Sequence, residues 1–215
     1  MSNKHNITVN KTATYYTLGD IKTANTIWFV LHGYGMLAKY FIKKFNSILT
    51  DNIAIIAPEG LSRFYIEGFY GRTGAAWMTK EDRENEIIDY INYLNQLYKA
   101  VLIENNQSAI KINVVGFSQG GAVASRWVAD GNVNPTNFLL WSSVFPDEMN
   151  FKTFGSNFNT FVIYGNNDEF RTEEQLIQQK KILSNSDLNY QLIEFNGTHD
   201  IPEEVLVEQT KKNGW

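Results

Sequence analysis

The 215-residue chain contains no cysteine, only four prolines and only three histidines. The missing cysteines exclude disulfides, thiolate metal ligands and a cysteine nucleophile, so any covalent chemistry must rest on another side chain. No run approaches the roughly 20 apolar residues of a membrane span. The first ten residues lack the apolar core of a secretory signal. The expectation is a cytoplasmic protein without integral membrane association. Basic tracts are absent too: the net charge is −4, and Lys43-Lys44, Lys180-Lys181 and Lys211-Lys212 are isolated pairs that read as solvated helix faces. Nucleic acid is therefore not an expected partner. No repeat or low-complexity linker divides the chain. Its length and its 43% hydrophobic content fit one domain over residues 1–215 with a sizeable core. Oligomeric state is not specified by any of these features.

What is present alternates between short apolar strands and amphipathic helices, the pattern of an α/β fold with a mostly parallel sheet. Strands are expected near 7–17, 26–31, 53–57, 111–116, 137–142, 159–164 and 190–195, the first as an antiparallel edge. The clearest helix spans about 80–103, where Ile87, Ile91, Leu94, Tyr98 and Val101 or Leu102 recur at helical spacing and form a core stripe.

The most informative stretch is Gly116-Phe117-Ser118-Gln119-Gly120-Gly121-Ala122, directly after the apolar run 112–115. Gly-x-Ser-x-Gly at a strand end allows the sharp strand-to-helix turn that leaves a serine hydroxyl exposed above a sheet edge, a nucleophile elbow. Small residues at 120, 121, 122 and 124 let the following helix, 119 to about 129, pass close to the strand.

A serine needs a base to take its proton. His5 lies in a polar N-terminal segment and His32 in the loop Leu31-His32-Gly33-Tyr34-Gly35, which leaves His199, on a loop after the strand near 190–195. The imidazole in turn needs a carboxylate to hold its tautomer and stabilise the imidazolium. Asp168, turning out of the strand near 159–164, is the leading candidate, and Glu169 is its rival. The chain order Ser118, Asp168, His199 is the order expected of α/β-hydrolases. His-Gly-x-Gly after the strand 26–31 is the kind of loop that supplies one backbone N–H of an oxyanion hole, here that of Tyr34. The second donor is the amide of Gln119, next to the nucleophile, and His32 reads as a structural loop residue.

Two connections bear on substrate. About 16 residues separate the strand ending near Ser142 from that beginning near Asn159, too few for a helical cap, so an open site is expected. The connection 59–79 carries Phe64, Tyr65, Phe69, Tyr70, Trp77 and Met78 and is a candidate pocket wall, with Trp77, Phe69 and Tyr70 as substrate-binding residues. The alternative is that these aromatics only pin the loop to the domain.

Taken together, Gly-Phe-Ser-Gln-Gly-Gly-Ala, Leu-His-Gly-Tyr-Gly and Ala57-Pro58 resemble the phospholipase/carboxylesterase family of α/β-hydrolases, which includes acyl-protein thioesterases. The resemblance runs from about Thr26 to His199. It implies an α/β-hydrolase fold without a large cap domain, and a serine hydrolase of carboxylic esters or thioesters that uses Ser118, Asp168 and His199 as triad and needs no cofactor or metal. Its partner is then a small-molecule ester or thioester. The chain departs from the family pattern in three places: Met36 stands where the family commonly has aspartate, Trp77-Met78-Thr79 where it has Trp-Phe-Asp, and Thr198 where it often has glycine. The family's substrate preferences are not inherited with the motif. A peptidase of the same fold and a non-catalytic binding domain are the alternatives.

Overall fold

The computed structural model describes residues 2–149, 151, 154, 157–184, 186 and 188–215. A seven-stranded sheet forms its centre, in the order β1-β3-β2-β6-β7-β8-β9. These are β1 (Tyr15–Leu18), β2 (Thr26–Leu31), β3 (Ile53–Pro58), β6 (Lys111–Phe117), β7 (Asn137–Trp141), β8 (Asn159–Gly165) and β9 (Tyr190–Phe195). β1 is antiparallel to β3, and every other neighbouring pair is parallel. The buried strands read as continuous apolar runs, Trp28-Phe29-Val30-Leu31 and Ile55-Ile56-Ala57 for example, because a parallel strand is covered on both faces.

Each face has its own core. On one lie α2 (Arg83–Glu104) and α3 (Gln119–Ala129), which bury Tyr90, Leu94, Tyr98, Val123 and Trp127 against Phe29, Val114 and Phe138. On the other, the short helix α1 (Ala38–Phe41), a 3-10 segment (Ile42–Ile48) and α5 (Glu203–Asn213) pack Phe41, Phe45, Leu206 and Trp215 over Trp28, Val115, Leu139 and Phe161. The helical stripe expected on α2 is present, with Leu94, Tyr98 and Val101 buried and Ile87, Ile91 and Leu102 packed at its margin.

Three polar side chains interrupt this apolar sheet at one level. Asn113, Asn137 and Asn159 are register partners on β6, β7 and β8. The amide of Asn137 donates to Asn113 Oδ1 at 2.7 Å, and that of Asn159 to Asn137 Oδ1 at 2.9 Å. A one-residue slip would turn these amides into the opposite core and break both bonds, so the ladder fixes the register of three parallel strands.

Two expectations need correction. The N-terminal strand is only Tyr15–Leu18; Ile7 and Val9 are 87% and 72% exposed, because Tyr15 already lies opposite Pro58 at the end of β3, which offers nothing to the residues before it. The connection 59–79 is not irregular: β4 (Ser62–Tyr65) and β5 (Thr73–Ala76) form an antiparallel hairpin within it. No cap domain stands between β7 and β8 among the described residues. The remaining helix, α4 (Glu173–Ser184), connects β8 to β9 and buries a single residue, Leu183. No helix among the described residues is long and apolar enough to cross a membrane.

Candidate active site

The elbow has the geometry that its glycines permit. Ser118 ends β6 with φ 54° and ψ −123°, in the left-handed half of conformational space, where a non-glycine residue carries roughly 1–3 kcal/mol of strain. Its surroundings over-determine it: the Ser118 N–H donates to Trp141 O at 3.1 Å, and the Ser143 hydroxyl donates to Ser118 O at 2.6 Å. A Cβ at position 116 would lie 2.5 Å from Gly120 O, and one at position 120 would lie 2.3 Å from Leu31 O. Glycine at both positions is therefore what lets α3 start against the ends of β6 and β2.

His199 and Asp168 are brought together from loops after β9 and β8. His199 Nδ1 lies 2.9 and 2.8 Å from the two Asp168 carboxylate oxygens. Nδ1–H is then the donor, and the lone pair of Nε2 is left to act as a base. Asp168 Oδ1 also accepts the Phe170 N–H at 3.0 Å. The imidazole is held between Phe117 and Phe170, with ring centroids 4.9 and 4.8 Å away. Glu169 makes no such contact and is exposed. Ser118 and His199 line one cavity. No hydrogen bond joins their side chains in this structure, and contacts of this kind commonly tighten only when substrate is bound.

The next residue, Asp200, is clamped as well. Its carbonyl accepts the Trp141 indole N–H at 2.9 Å, and its carboxylate pairs with Lys44. Lys44 was expected on a solvated helix face; it is instead a tether for the histidine loop, because the 3-10 segment passes beneath that loop.

His32 is fully buried. Its Nδ1 lies 2.8 Å from Gly33 O, and its Nε2 accepts the Gly60 N–H at 2.9 Å. Burial lowers its pKa, against the opposing pull of the Gly33 carbonyl and of Glu59, so the ring is neutral and spans two loops. Tyr34 follows at the loop tip, 59% exposed, its ring 5.1 Å from Phe64. Among the described residues neither the Tyr34 nor the Gln119 backbone N–H has an acceptor, whereas the Gly35 N–H donates to Ala75 O and the Gly121 N–H to Ser118 O. Gln119 adjoins Ser118 in the chain, and the loop that carries Tyr34 passes close to it, a Cβ at position 33 lying 3.1 Å from Ser118 Cβ. The Gln119 side chain is engaged elsewhere: Oε1 accepts the Trp77 N–H at 3.1 Å, and Nε2 donates to Met78 O at 2.9 Å.

The three expected substrate-binding residues lie elsewhere. Trp77 is 1% exposed, its indole N–H donates to His32 O at 2.9 Å, and its ring packs on His32 and Tyr90. It is a strut under the loop that carries His32 and Tyr34. Phe69 and Tyr70, at the hairpin turn, are 85% and 99% exposed, and none of the three lines the cavity. The pocket wall lies across the sheet instead. A cavity of about 320 Å³ runs from Ser118, His199 and Ala122 under α4, floored by Val162, Tyr164, Tyr190 and Leu192 and roofed by Leu176, Gln179 and Leu183. Sequence reading overlooked these residues, although a helix written Glu-Glu-Gln-Leu-Ile-Gln-Gln-Lys-Lys-Ile-Leu-Ser has too thin an apolar face to seal against a sheet.

A mostly parallel sheet, a strained serine on a strand-to-helix elbow and an Asp-His pair after the last two strands, β8 and β9, define an α/β-hydrolase. More narrowly, the chain belongs to the phospholipase/carboxylesterase family, whose model matches residues 18–211, and it is an esterase-type hydrolase. Among solved structures it is similar to Zea mays acyl-protein thioesterase 2, with a TM-score of 0.71 at 19% identity over 94% of this chain and 98% of that one. It is also similar to a carboxylesterase from Mesorhizobium loti, with a TM-score of 0.68 at 18% identity over 93% and 94%. For the Bacillus cereus carboxylesterase the TM-score is 0.67 at 16% identity over 94% and 95%. At these identities the likeness is one of fold. No curated protein matches the sequence.

Proposed function

We propose that the protein hydrolyses carboxylic esters, thioesters among them, through an acyl-enzyme on Ser118. The observation that carries this reading is the Asp168–His199 pair, 2.8 Å apart, opening into the same cavity as the strained elbow serine. His199 Nε2 takes the Ser118 hydroxyl proton as Oγ attacks the acyl carbon. The Tyr34 and Gln119 N–H groups receive the oxyanion that forms. The intermediate collapses, the bond to the alcohol or thiol breaks, and the leaving oxygen or sulfur takes the proton from His199. Water then repeats the sequence and releases the acid. Asp168 keeps the imidazole in the productive tautomer and stabilises its cation.

The acyl arm belongs in the cavity beneath α4. The lining is mostly aliphatic and aromatic, and an apolar chain gains most from leaving water there. The opposite side, without a cap, is left for the leaving group. The protein acts as one domain over residues 1–215 and is cytoplasmic in this reading.

Replacing Ser118 by alanine tests the assignment. Ser118→Ala should abolish labelling by a fluorophosphonate probe and lower p-nitrophenyl ester turnover by at least ~10⁴-fold, with the melting temperature retained. Undiminished labelling of that variant would move the nucleophile elsewhere.

A further inference from the structure

The cavity beneath α4 is not uniformly apolar. Arg171, between Asp168 and the start of α4, lies flat on Tyr164 with its guanidinium carbon 3.4 Å from the ring centroid, and both residues line the cavity. Lys180, an exposed residue of α4, lines its margin seven residues beyond Glu173 and so about 10 Å further down the helix. Among the described residues neither cation has a carboxylate partner. Glu194 is the register neighbour of Tyr164 on β9 and forms no ion pair with Arg171. The Asp168 carboxylate, the acidic group among the described residues that line the cavity, is occupied by His199 and the Phe170 N–H.

A guanidinium stacked on an aromatic face has its fork of N–H donors fixed before any ligand arrives, so little freedom is lost when a carboxylate docks. We propose that the acyl arm recognised by this cavity ends in a carboxylate, so that the substrates are half-esters or half-thioesters of dicarboxylic acids, with Arg171 and Lys180 gripping the distal carboxylate and the intervening methylenes lying on Val162, Leu176 and Leu192. This rests on the esterase reading and narrows it. The chemistry is unchanged: the bond broken is the ester or thioester, and the distal carboxylate takes no part in it.

The test compares p-nitrophenyl half-esters of adipic and suberic acids with the same compounds methyl-capped at the distal end. The wild-type protein should favour the free carboxylate by about tenfold or more in kcat/KM, the effect of one charged hydrogen-bonded contact. Arg171→Gln should remove that preference, bringing kcat/KM for the free acids down to that for the capped esters. Ser118→Ala supplies a readout independent of turnover: by calorimetry it should bind monomethyl suberate and not dimethyl suberate, and Arg171→Gln placed on that background should lose the binding. Equal treatment of free and capped acids by the wild type, equal slowing of both by Arg171→Gln, or a preference only for carboxylates carried on the alcohol arm overturns the proposal. Loss of Ser118-dependent turnover on every ester, with carboxylate-specific binding retained, overturns the esterase reading and leaves the anion site standing.

Discussion

Trp77 shows what a residue name can hide. An indole in an aromatic-rich connection beside a candidate site reads equally well as a pocket wall or as a strut, and only the direction of its N–H separates the two. That N–H meets His32 O at 2.9 Å, so the ring braces the loop that presents the Tyr34 amide. Trp77→Ala should therefore lower stability by ~3–5 kcal/mol, the ordinary cost of deleting a buried Trp side chain. It should also lower kcat for all acyl lengths by a similar factor, because the loop proposed to hold the oxyanion is loosened for every substrate alike. Urea unfolding together with kcat/KM across acetate, butyrate and octanoate esters checks this. A changed chain-length profile at unchanged stability would place the indole against substrate after all. Ser118, His199, Asp168 and the glycines were legible because their chemistry demands particular residues at particular strand ends. Arg171 and Lys180 were not, since a cation that lines a cavity and one that faces water are spelled alike.

At the scale of elements, the strands were readable from their apolar runs to within a residue or two at most ends, since burial on both faces leaves little freedom of composition. The hairpin β4–β5 was not. Its strands are four residues each, Ser-Arg-Phe-Tyr and Thr-Gly-Ala-Ala, too short and, in β5, too poor in large apolar residues to hold a periodic signal. Long-range polar ties between elements were equally hidden. Glu148, after β7, accepts from Arg126 of α3 at 2.6 Å and from Arg83 of α2 at 2.8 Å, and so joins three segments. Burial pushes the Glu148 pKa up, but hydrogen bonds from its own backbone and from the two guanidinium groups outweigh that and bring it down to about 2. A carboxylate with a depressed folded pKa stabilises the fold fully above its ordinary value of 4.5 and loses that contribution as pH falls toward 2. The melting temperature should thus fall between pH 5 and pH 3, and Glu148→Gln should flatten part of that fall. At pH 7 the same variant should melt lower than wild type, because Arg126, only 9% exposed, is left a buried cation without its anion. The Glu148 side chain is half exposed, so solvent screening keeps the effect modest. Melting curves of both proteins from pH 7 to pH 3 decide it: parallel curves would mean that the network contributes nothing.

For the whole molecule, the decisive feature is uneven coverage of the sheet. α2 and α3 seal their face with large side chains, while α4 buries only Leu183 and is held partly by polar contacts, Gln179 pairing with both the N–H and the carbonyl of Phe145. The face of β8 and β9 beneath it is left as a cleft that descends from the candidate serine. The register partners Gly165–Phe195 and Thr160–Tyr190 lie five residues apart along these strands, a drop of roughly 17 Å. An acyl chain entering that cleft sheds its water one methylene at a time, at about 0.8 kcal/mol each. The wild-type kcat/KM for neutral p-nitrophenyl esters should then climb about fourfold per methylene from acetate toward octanoate, rather than favouring short chains as an uncapped site alone would suggest. Leu192 offers the means to shorten the cleft, because it lines the floor yet is 53% exposed on an edge strand, so that a larger side chain costs the fold little. Leu192→Trp should leave acetate turnover within about twofold and cut octanoate turnover by about tenfold or more, a loss equivalent to roughly two buried methylenes. A flat chain-length series in the wild type, or a Leu192→Trp variant that hydrolyses octanoate as well as its parent, would show that the acyl arm does not lie under α4.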